Sequence, residues 1–209
     1  MKRARSDNEK DARRRLLLTA ALDEFFERGF SAARMEDIAT RVNLSKGTVY
    51  LYFESKDELF RELIQTLAVP NLETIERMTR TAPSFEAAMS AIATFAPQLI
   101  RETHLHKLMK VLSGDSHNFP EIVKSYRFEV IDRVLAAITA LLQNAHDAGE
   151  ISVVDAALTA RLVVAPMVMS MLWQAVFAPT DRVPIDLETL FQLHAENMKR
   201  ALARSEPTS

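Results

Sequence analysis

The chain has 209 residues, enough for one large or two small domains with a sizeable core. Hydrophobic residues make up 48% and charged residues 26%, as in ordinary soluble globular proteins. The absence of cysteine excludes disulfides, thiol catalysis and zinc–thiolate sites and favours a cytoplasmic location. The net charge of −2 is unevenly distributed: residues 1–56 carry 12 Lys and Arg against 9 Asp and Glu, whereas residues 57–209 carry 14 against 19. A basic front part suits a polyanionic partner, and equally a solvated charged surface.

Helices account for the whole predicted fold. The chain has only four glycines and shows no regular alternation of apolar and polar residues, which indicates an all-α protein. The first predicted helix spans 11–28 and ends at Gly29, which can adopt the left-handed backbone conformation. Its apolar residues recur at the spacing of one buried stripe, at Leu18, Leu22, Phe25 and Phe26.

Two short helices and a helix start follow in close succession. The first short helix is predicted over 35–42, and after a tight turn the second covers 45–52. Ser55, with Glu58 three residues later, forms a capping box. This box predicts that a fourth helix begins at Lys56.

The rest of the chain consists of longer helical patterns. With the three helices before them they make about nine helices, over 56–80, 84–100, 101–113, 119–148, 154–178 and 185–204. Pro70 falls inside the first of these patterns and should bend or interrupt it, because proline lacks a backbone N–H. Pro97 and Pro166 also lie inside helical patterns and should kink or split them.

The stretch LSKGTVYLYF, residues 44–53, is locally ambiguous. Its aromatic and β-branched residues are typical of a strand, and several of them are weak helix formers. An isolated strand would, however, leave its backbone N–H and C=O groups unpaired. We therefore expect a short helix held by its neighbours. Val49 and Phe53 then share a buried face, and Lys46 and Tyr50 share an outward face.

Two short helices across a tight turn are typical of a helix-turn-helix, whose second helix enters a DNA major groove. Glycine lets the backbone approach a partner closely, and hydroxyl groups at a helix start can bind phosphate oxygens. A cation at a helix start is disfavoured by the helix dipole, which makes it a candidate phosphate contact. Tyr52 can be either a lid on the core or a phosphate contact. The candidate DNA-binding residues are Arg34, Ser45, Lys46, Gly47, Thr48, Tyr50, Tyr52 and Lys56.

The segment from Glu24 to Phe60, EFFERGFSAARMEDIATRVNLSKGTVYLYFESKDELF, resembles the TetR family of bacterial transcriptional regulators. The pattern S-K-G-T-x-Y-x-Y-F-x-x-K-x-x-L-F carries the resemblance and is far more specific than helix-turn-helix periodicity alone. The remainder of the chain resembles the family only in its helix count and its paired C-terminal helices. One departure concerns the start of the second helix, where the family usually has a capping Thr or Ser. Ala33 and Arg34 stand there instead, so we expect the cap to be absent and Arg34 to contact phosphate.

The resemblance implies a domain organisation and a function. It implies a three-helix DNA-binding domain at 1–54 and a ligand-binding and dimerisation domain at 55–209. The protein is then expected to be a homodimeric repressor, released from a palindromic double-stranded DNA operator by an unknown small molecule. The alternative is a helical ligand-binding or catalytic bundle with no role on DNA.

The stretch LVVAPMVMSMLWQAVFA, residues 162–178, is nearly all apolar. Its 17 residues are at the lower limit for a membrane span, and polar or helix-breaking residues interrupt it. A helix that is apolar all round can also be buried in protein. Together with the apolar face of the next helix it favours a four-helix bundle across a two-fold axis, with no membrane contact; a membrane-anchored protein is the alternative. The predicted interface residues are Leu187, Leu190, Phe191, His194 and Met198.

Aromatic and methionine residues in the predicted C-terminal domain suit an adaptable small-molecule pocket. Plain core packing explains any single one of them at least as well. The candidate lining residues are Phe95, Leu108, Met109, Leu112, Phe119, Ile122, Tyr126, Met167, Met171 and Trp173.

Metal and catalytic chemistry have little support in the sequence. His104 and His106 are two residues apart and cannot share one helix face, and no metal-binding motif occurs. No phosphate-binding glycine loop and no nucleophile motif is present either. We therefore expect no catalytic residues, no metal and no cofactor.

Overall fold

The computed structural model describes residues 2–204, except the side chains of residues 2–8 and of Asp115. The described residues form eleven α-helices, two short 3₁₀ turns and one π-helical segment, and no extended strand. The α-helices are α1 (Lys2–Arg28), α2 (Met35–Arg41), α3 (Lys46–Tyr50), α4 (Lys56–Leu67), α5 (Val69–Thr81), α6 (Phe85–Glu102), α7 (Leu105–Asp115), α8 (Pro120–Tyr126), α9 (Asp132–Asp147), α10 (Ala156–Val176) and α11 (Leu187–Leu202). The all-α prediction is confirmed.

The predicted number of nine helices is also confirmed, once two near-continuous pairs are each counted as one. A single residue, Ala68, separates α4 from α5, and the π-helical segment Arg127–Ile131 joins α8 to α9. Helix α1 begins earlier than predicted, because residues 2–10 contain neither glycine nor proline to prevent it.

The prolines inside helical patterns behave differently from one another. The helix predicted over 56–80 is interrupted, but at Ala68 rather than at Pro70, which is the second residue of α5. Proline is tolerated there because the first turn of a helix has no internal partner for its N–H groups. Of the two predicted outcomes, a kink or a split, the split does not occur, because α6 and α10 continue through Pro97 and Pro166.

The chain divides into two compact units that are each formed from two segments. The first unit comprises Met1–Ala68 and Lys107–Tyr126, and the second comprises Val69–His106 and Arg127–Ser209. Helices α1 to α4 therefore share a unit with α8 and most of α7. The predicted boundary between 1–54 and 55–209 remains a prediction about function.

The core of the first unit is a cluster of four phenylalanine rings. Phe25, Phe30 and Phe60 come from the N-terminal helices and the turn after α1. Phe119, just before α8, places its ring centre 4.6 Å from that of Phe30 and 5.8 Å from that of Phe60. All four rings are buried. The cluster ties α8 to the N-terminal helices by removing a large apolar area from water.

The second unit is a helical bundle in which α6 packs on α11, and α9 packs on both α5 and α10. Arg133 joins α9 to α5 through two hydrogen bonds to the Glu76 carboxylate, of 3.0 and 2.8 Å. At one end, the Glu150 carboxylate accepts a hydrogen bond of 2.7 Å from the Phe85 N–H at the start of α6. An anion there is favoured by the helix dipole.

Candidate nucleic-acid interface

Helices α2 and α3 are arranged across a three-residue turn and Ser45. Asn43 has a positive φ of 54°, and the Leu44 N–H donates to the Ala39 carbonyl at 2.9 Å, which closes the turn. Ser45 is the N-cap of α3, because its Oγ accepts a hydrogen bond of 3.1 Å from the Thr48 N–H. The same Oγ lies 2.8 Å from the Thr48 hydroxyl, so the cap is doubly held.

The buried face of α3 fixes the direction in which its other side chains point. Val49 is fully buried, as is Phe53 just after the helix. Lys46, Gly47 and Tyr50 are exposed on the other side. The predicted division of this stretch into core and outward residues is confirmed in its geometry, and packing rather than helix propensity is what holds the five-residue helix.

Lys46 is engaged in an ion pair on the surface. Its ammonium group donates to the Glu36 carboxylate of α2 and lies 5.8 Å from the centre of the Tyr50 ring. The hydrogen bond from Lys46 lowers the pKa of Glu36, and the hydrogen bond to Glu36 raises the pKa of Lys46. Both groups are therefore charged at neutral pH.

No contact or backbone conformation within the chain requires glycine at position 47. Its backbone is not in the left-handed region, and a Cβ added there would meet only the Ser45 Oγ, at 3.8 Å, an ordinary contact. Glycine inside a helix costs about 1 kcal/mol relative to alanine. The fold itself therefore does not require glycine at this position.

A surface groove lies between the starts of α2 and α4, lined by residues 31–36, Tyr50 and residues 54–57. Arg34 is the N-cap residue of α2 and makes no side-chain capping bond, as expected from the missing Thr or Ser. Ser55 caps α4 by accepting from the Glu58 N–H at 3.2 Å. The Glu58 carboxylate accepts from the Glu54 N–H at 2.6 Å, one residue before the position of a standard capping box.

Lys56 has a structural role that the sequence did not reveal. Its ammonium group donates to the carbonyls of Phe30, Ser31 and Ala33 at 2.8, 3.2 and 2.8 Å. An ammonium group has three N–H donors, and these three bonds use all of them. Lys56 thus fastens the connection between α1 and α2 to the start of α4. The structure opposes the predicted use of this cation as a phosphate contact.

Two ion-pair networks connect α1 to its neighbours, one to α2 and the other to α4. The Glu24 carboxylate of α1 is 1% exposed and pairs with Arg41 of α2 at 2.6 Å and with Arg28 at 3.0 Å. Arg14 donates to both carboxylate oxygens of Glu62 in α4, at 2.7 and 3.0 Å. A buried carboxylate is stable only when it is paired in this way. The Glu24–Arg28 spacing of four residues was a visible signal for the first network.

Arg14 also supports the chain just after α3. Its guanidinium donates to the Tyr52 carbonyl at 3.3 Å and lies 4.6 Å from the centre of the Phe53 ring. In the sequence Arg14 is the middle one of three consecutive arginines, a pattern that does not indicate this role. Its contacts place it among the residues that hold the helices of the first unit together.

The predicted pocket residues divide between the two units. The first unit holds Leu108, Met109, Leu112, Phe119, Ile122 and Tyr126, and the second holds Phe95, Met167, Met171 and Trp173. In the first unit the Tyr126 hydroxyl lies 3.5 Å from the Met109 sulfur, and burial raises the pKa of Tyr126 to about 12. In the second, the Trp173 indole N–H donates to Asp181 at 2.7 Å. A common pocket remains a prediction.

The predicted dimer residues on α11 face largely inward. Leu187 and Phe191 are 2% and 3% exposed within their own chain. The His194 Nε2 lies 3.1 Å from the Val163 carbonyl of α10, and Leu190 and Met198 are half-buried. Phe191 and Val163 border a gap of about 10 Å³, which is at most enough for one water. Burial of Leu187 and Phe191 in the protomer opposes their predicted place in a dimer interface.

An exposed apolar stripe runs along α10 instead. Its residues recur at intervals of three, four and seven, which places them on one helix face. The stripe consists of Leu158, Leu162, Ala165, Met169 and Val176. Among the described helices, α10 is also the one long and apolar enough to cross a membrane by length and composition, a test that core helices of soluble proteins also pass.

His104 and His106 lie near each other at the junction of α6 and α7. The His104 and His106 ring centres lie 6.3 Å apart. Within the described part of the chain, no group of three or more His, Asp or Glu side chains could hold a metal ion.

Helix α3 is capped by Ser45, is held in place by its buried face, and exposes a lysine, a glycine and a tyrosine. Following α2 across a tight turn, it defines a DNA-binding helix-turn-helix protein. Comparison with known proteins agrees. Residues 17–63 match the sequence model described as bacterial regulatory proteins, tetR family, and residues 87–189 match that of the AefR-like transcriptional repressor C-terminal domain. The chain belongs to the TetR family of DNA-binding transcriptional regulators, as the sequence predicted.

Similarity to individual proteins extends over most of the chain. It is 28% identical over 181 residues to the uncharacterized HTH-type transcriptional regulator YhgD of Bacillus subtilis, covering 85% of this chain and 90% of that one. It is 26% identical over 164 residues to the HTH-type transcriptional repressor BepR of Brucella suis, covering 74% and 76%. The ketosteroid transcriptional regulator KstR2 of Mycobacterium tuberculosis has the same fold, with a TM-score of 0.73, 18% identity and coverage of 92% and 96%.

Proposed function

We propose that the protein is a homodimeric repressor that binds a pseudo-palindromic DNA operator and leaves it when a small molecule binds. The observation that carries this proposal is the exposed face of α3, with Lys46, Gly47 and Tyr50 around a helix fixed by buried Val49. Gly47 supports it most directly, because the fold itself does not require glycine there. Bacterial DNA lies in the cytoplasm, where we expect the protein to act.

The proposed contacts fall into two groups. Lys46, Gly47 and Tyr50 enter the major groove, where they meet base edges and the sugar–phosphate chain. Arg34, Ser45 and Thr48 lie at or near helix starts, and Tyr52 lies just after α3. These four residues are proposed as phosphate contacts. We leave out Lys56, because its ammonium group is used by three backbone carbonyls.

For the dimer we propose the exposed stripe of α10, together with the exposed Leu193 of α11. A helix face of leucine, alanine, methionine and valine is costly in water and gains free energy when a second copy covers it. Two copies of α10 and α11 related by a two-fold axis would form a four-helix bundle, as expected from the sequence. Burial of α10 in such a dimer would also explain why the helix is so apolar, with no need for a membrane contact.

We propose that effector binding releases DNA through α8 and residues 107–115 of α7, which share a compact unit with the helix-turn-helix. The Lys107 ammonium of α7 bonds to the Asp23 carboxylate of α1 at 2.5 Å, and Lys110 lies 4.1 Å from the centre of the Phe26 ring. Phe119 continues this contact into the phenylalanine cluster. A ligand that displaces α7 or α8 would therefore move α1, with a coupling of about 1–3 kcal/mol between ligand and operator.

The test is selection of binding sequences from a random DNA duplex library with the purified full chain, followed by a salt titration of the winners. A dimer should select half-sites about 34–36 Å apart or at a multiple of that spacing. Affinity should fall steeply as salt rises, because phosphate contacts release counterions. Failure to enrich any sequence, with weak binding to every duplex, would refute the proposal.

A further inference from the structure

Glu36 is a carboxylate placed among the groups proposed to meet DNA. It is the second residue of α2, next but one to Arg34. Its side chain is 49% exposed and accepts a hydrogen bond from the ammonium of Lys46, which is 56% exposed. Glu36 also lines the surface groove that runs between the starts of α2 and α4. The lysine of the outward face thus already has an anionic partner in the free protein.

The position of the pair explains why a lysine is stable there. Lys46 is the first residue of α3, where the positive end of the helix dipole disfavours a cation. The Glu36 carboxylate offsets this unfavourable charge, and as the second residue of α2 it is itself favoured by the dipole of that helix. A phosphate oxygen of DNA would offset it in the same way.

We propose that Glu36 sets the affinity for DNA by competing with it inside the molecule. The Glu36 carboxylate occupies the site on Lys46 that a DNA phosphate takes, so that binding exchanges one anion for another. The inference rests on the proposed function, because it assumes that Lys46 meets DNA. The first helix of a helix-turn-helix crosses the DNA backbone, so the displaced carboxylate is left close to phosphate and repels it.

Two other roles for Glu36 make different predictions. If the carboxylate served only the dipole of α2, its loss would lower thermal stability and leave DNA binding unchanged. If it read a base by accepting from the amino group of cytosine, its loss would weaken binding to the selected operator alone. A competitor instead weakens binding to every sequence, and only through Lys46.

The experiment is a double-mutant cycle in the full-length chain with Glu36→Gln, Lys46→Gln and the pair of substitutions together. The probes are a duplex selected from a random library and an unselected duplex of equal length, each followed by fluorescence anisotropy across a salt series. Glu36→Gln should tighten binding to both duplexes about three- to tenfold and steepen the salt slope by up to about one. In the Lys46→Gln background the gain should disappear.

Glu54→Gln is the matched control, since Glu54 is an exposed carboxylate on the same groove. It removes the same charge without touching Lys46. Equal gains from Glu54→Gln and Glu36→Gln, or a Glu36→Gln gain that survives without Lys46, would overturn the competition in favour of a general charge effect. Weaker binding to the selected duplex alone would also overturn it. If the wild-type chain binds no duplex, the proposed function itself fails, and the inference with it.

Discussion

Helices α3 and α10 expose opposite kinds of surface. Helix α3 has five residues and turns a lysine, a glycine and a tyrosine to the outside, while Val49 holds it from within. Helix α10 has 21 residues and turns leucine, methionine and valine to the outside over much of its length. The first surface suits a charged, hydrated partner, and the second suits another apolar surface.

The difference shows that exposure must be interpreted together with chemistry. Exposed lysines are common on any protein surface. Lys46 indicates a binding surface only because it lies beside Gly47 on a helix whose orientation is fixed by buried Val49. An exposed apolar stripe is itself unusual and indicates a partner. Single substitutions can test each surface, and the largest effect is expected in the core of the protomer.

Phe191→Asp should destabilise the fold of each protomer rather than specifically dissociate a dimer. Phe191 is buried within its own chain, where an unpaired carboxylate is strongly disfavoured. We expect a loss of about 3–5 kcal/mol in the free energy of unfolding, measured by urea denaturation. Gln192→Asp, at the exposed neighbouring position, should change it little. If the Phe191→Asp variant has normal stability but sediments as a monomer, Phe191 belongs to the dimer interface as the sequence predicted.

Leu162→Asp should leave the protomer folded but dissociate the dimer into monomers. Leu162 lies in the middle of the exposed stripe of α10, so a charge there costs little in the monomer and much in a covered interface. Sedimentation velocity should show the dimer converted to monomer, with circular dichroism unchanged. Val183→Asp replaces an even more exposed apolar residue outside the helix and should leave the dimer intact. An unaltered dimer in Leu162→Asp would place the interface elsewhere.

The sequence predicted the two surfaces unequally, for a physical reason. Around α3 the turn, the cap at Ser45 and the spacing of Val49 and Phe53 are local signals, so both faces could be assigned. Helix α10 is apolar on every side, so its sequence identified a buried or covered helix without indicating which face packs inward. On α11 the apolar face was found, but whether it met its own chain or a partner depends on tertiary packing.

Long-range contacts were the other feature beyond reach of the sequence. Lys56 bonds to carbonyls more than twenty residues earlier, and Lys107 of α7 bonds to Asp23 of α1. No periodicity or motif encodes such pairs, since they depend on how the helices pack. The inclusion of α7 and α8 in the first compact unit was missed for the same reason.

Tyr50→Ala tests the polar surface with a smaller effect. The ring is exposed and lies beside the Lys46 ammonium, so its loss should remove a contact to bases or sugar. We expect affinity for a selected duplex to fall by about 1–3 kcal/mol, measured by fluorescence anisotropy at fixed salt. Tyr50→Phe keeps the ring and separates its contribution from that of the hydroxyl. If Tyr50→Ala binds the duplex with wild-type affinity, the proposal that α3 enters the DNA major groove is wrong.

Glu62→Gln should have the smallest effect, and it tests the scaffold behind α3. Arg14 lowers the pKa of Glu62 below its ordinary value of 4.5, mainly through their hydrogen bond. A carboxylate whose pKa is lowered by folding stabilises the folded state above its ordinary pKa, and this stability is lost as the pH falls through the lowered value. The partly exposed pair should contribute no more than about 1 kcal/mol.

The measurement is urea denaturation of Glu62→Gln and of the wild type between pH 3 and 7. The wild type should be more stable at pH 7, and the two curves should converge below about pH 4.5 as Glu62 becomes protonated and neutral like glutamine. Glu73→Gln, at an exposed position of α5, is the control and should give no pH-dependent difference of this kind. A gap in stability between wild type and Glu62→Gln that stays constant to pH 3 would show that packing, and not the charge on Glu62, links α1 to α4.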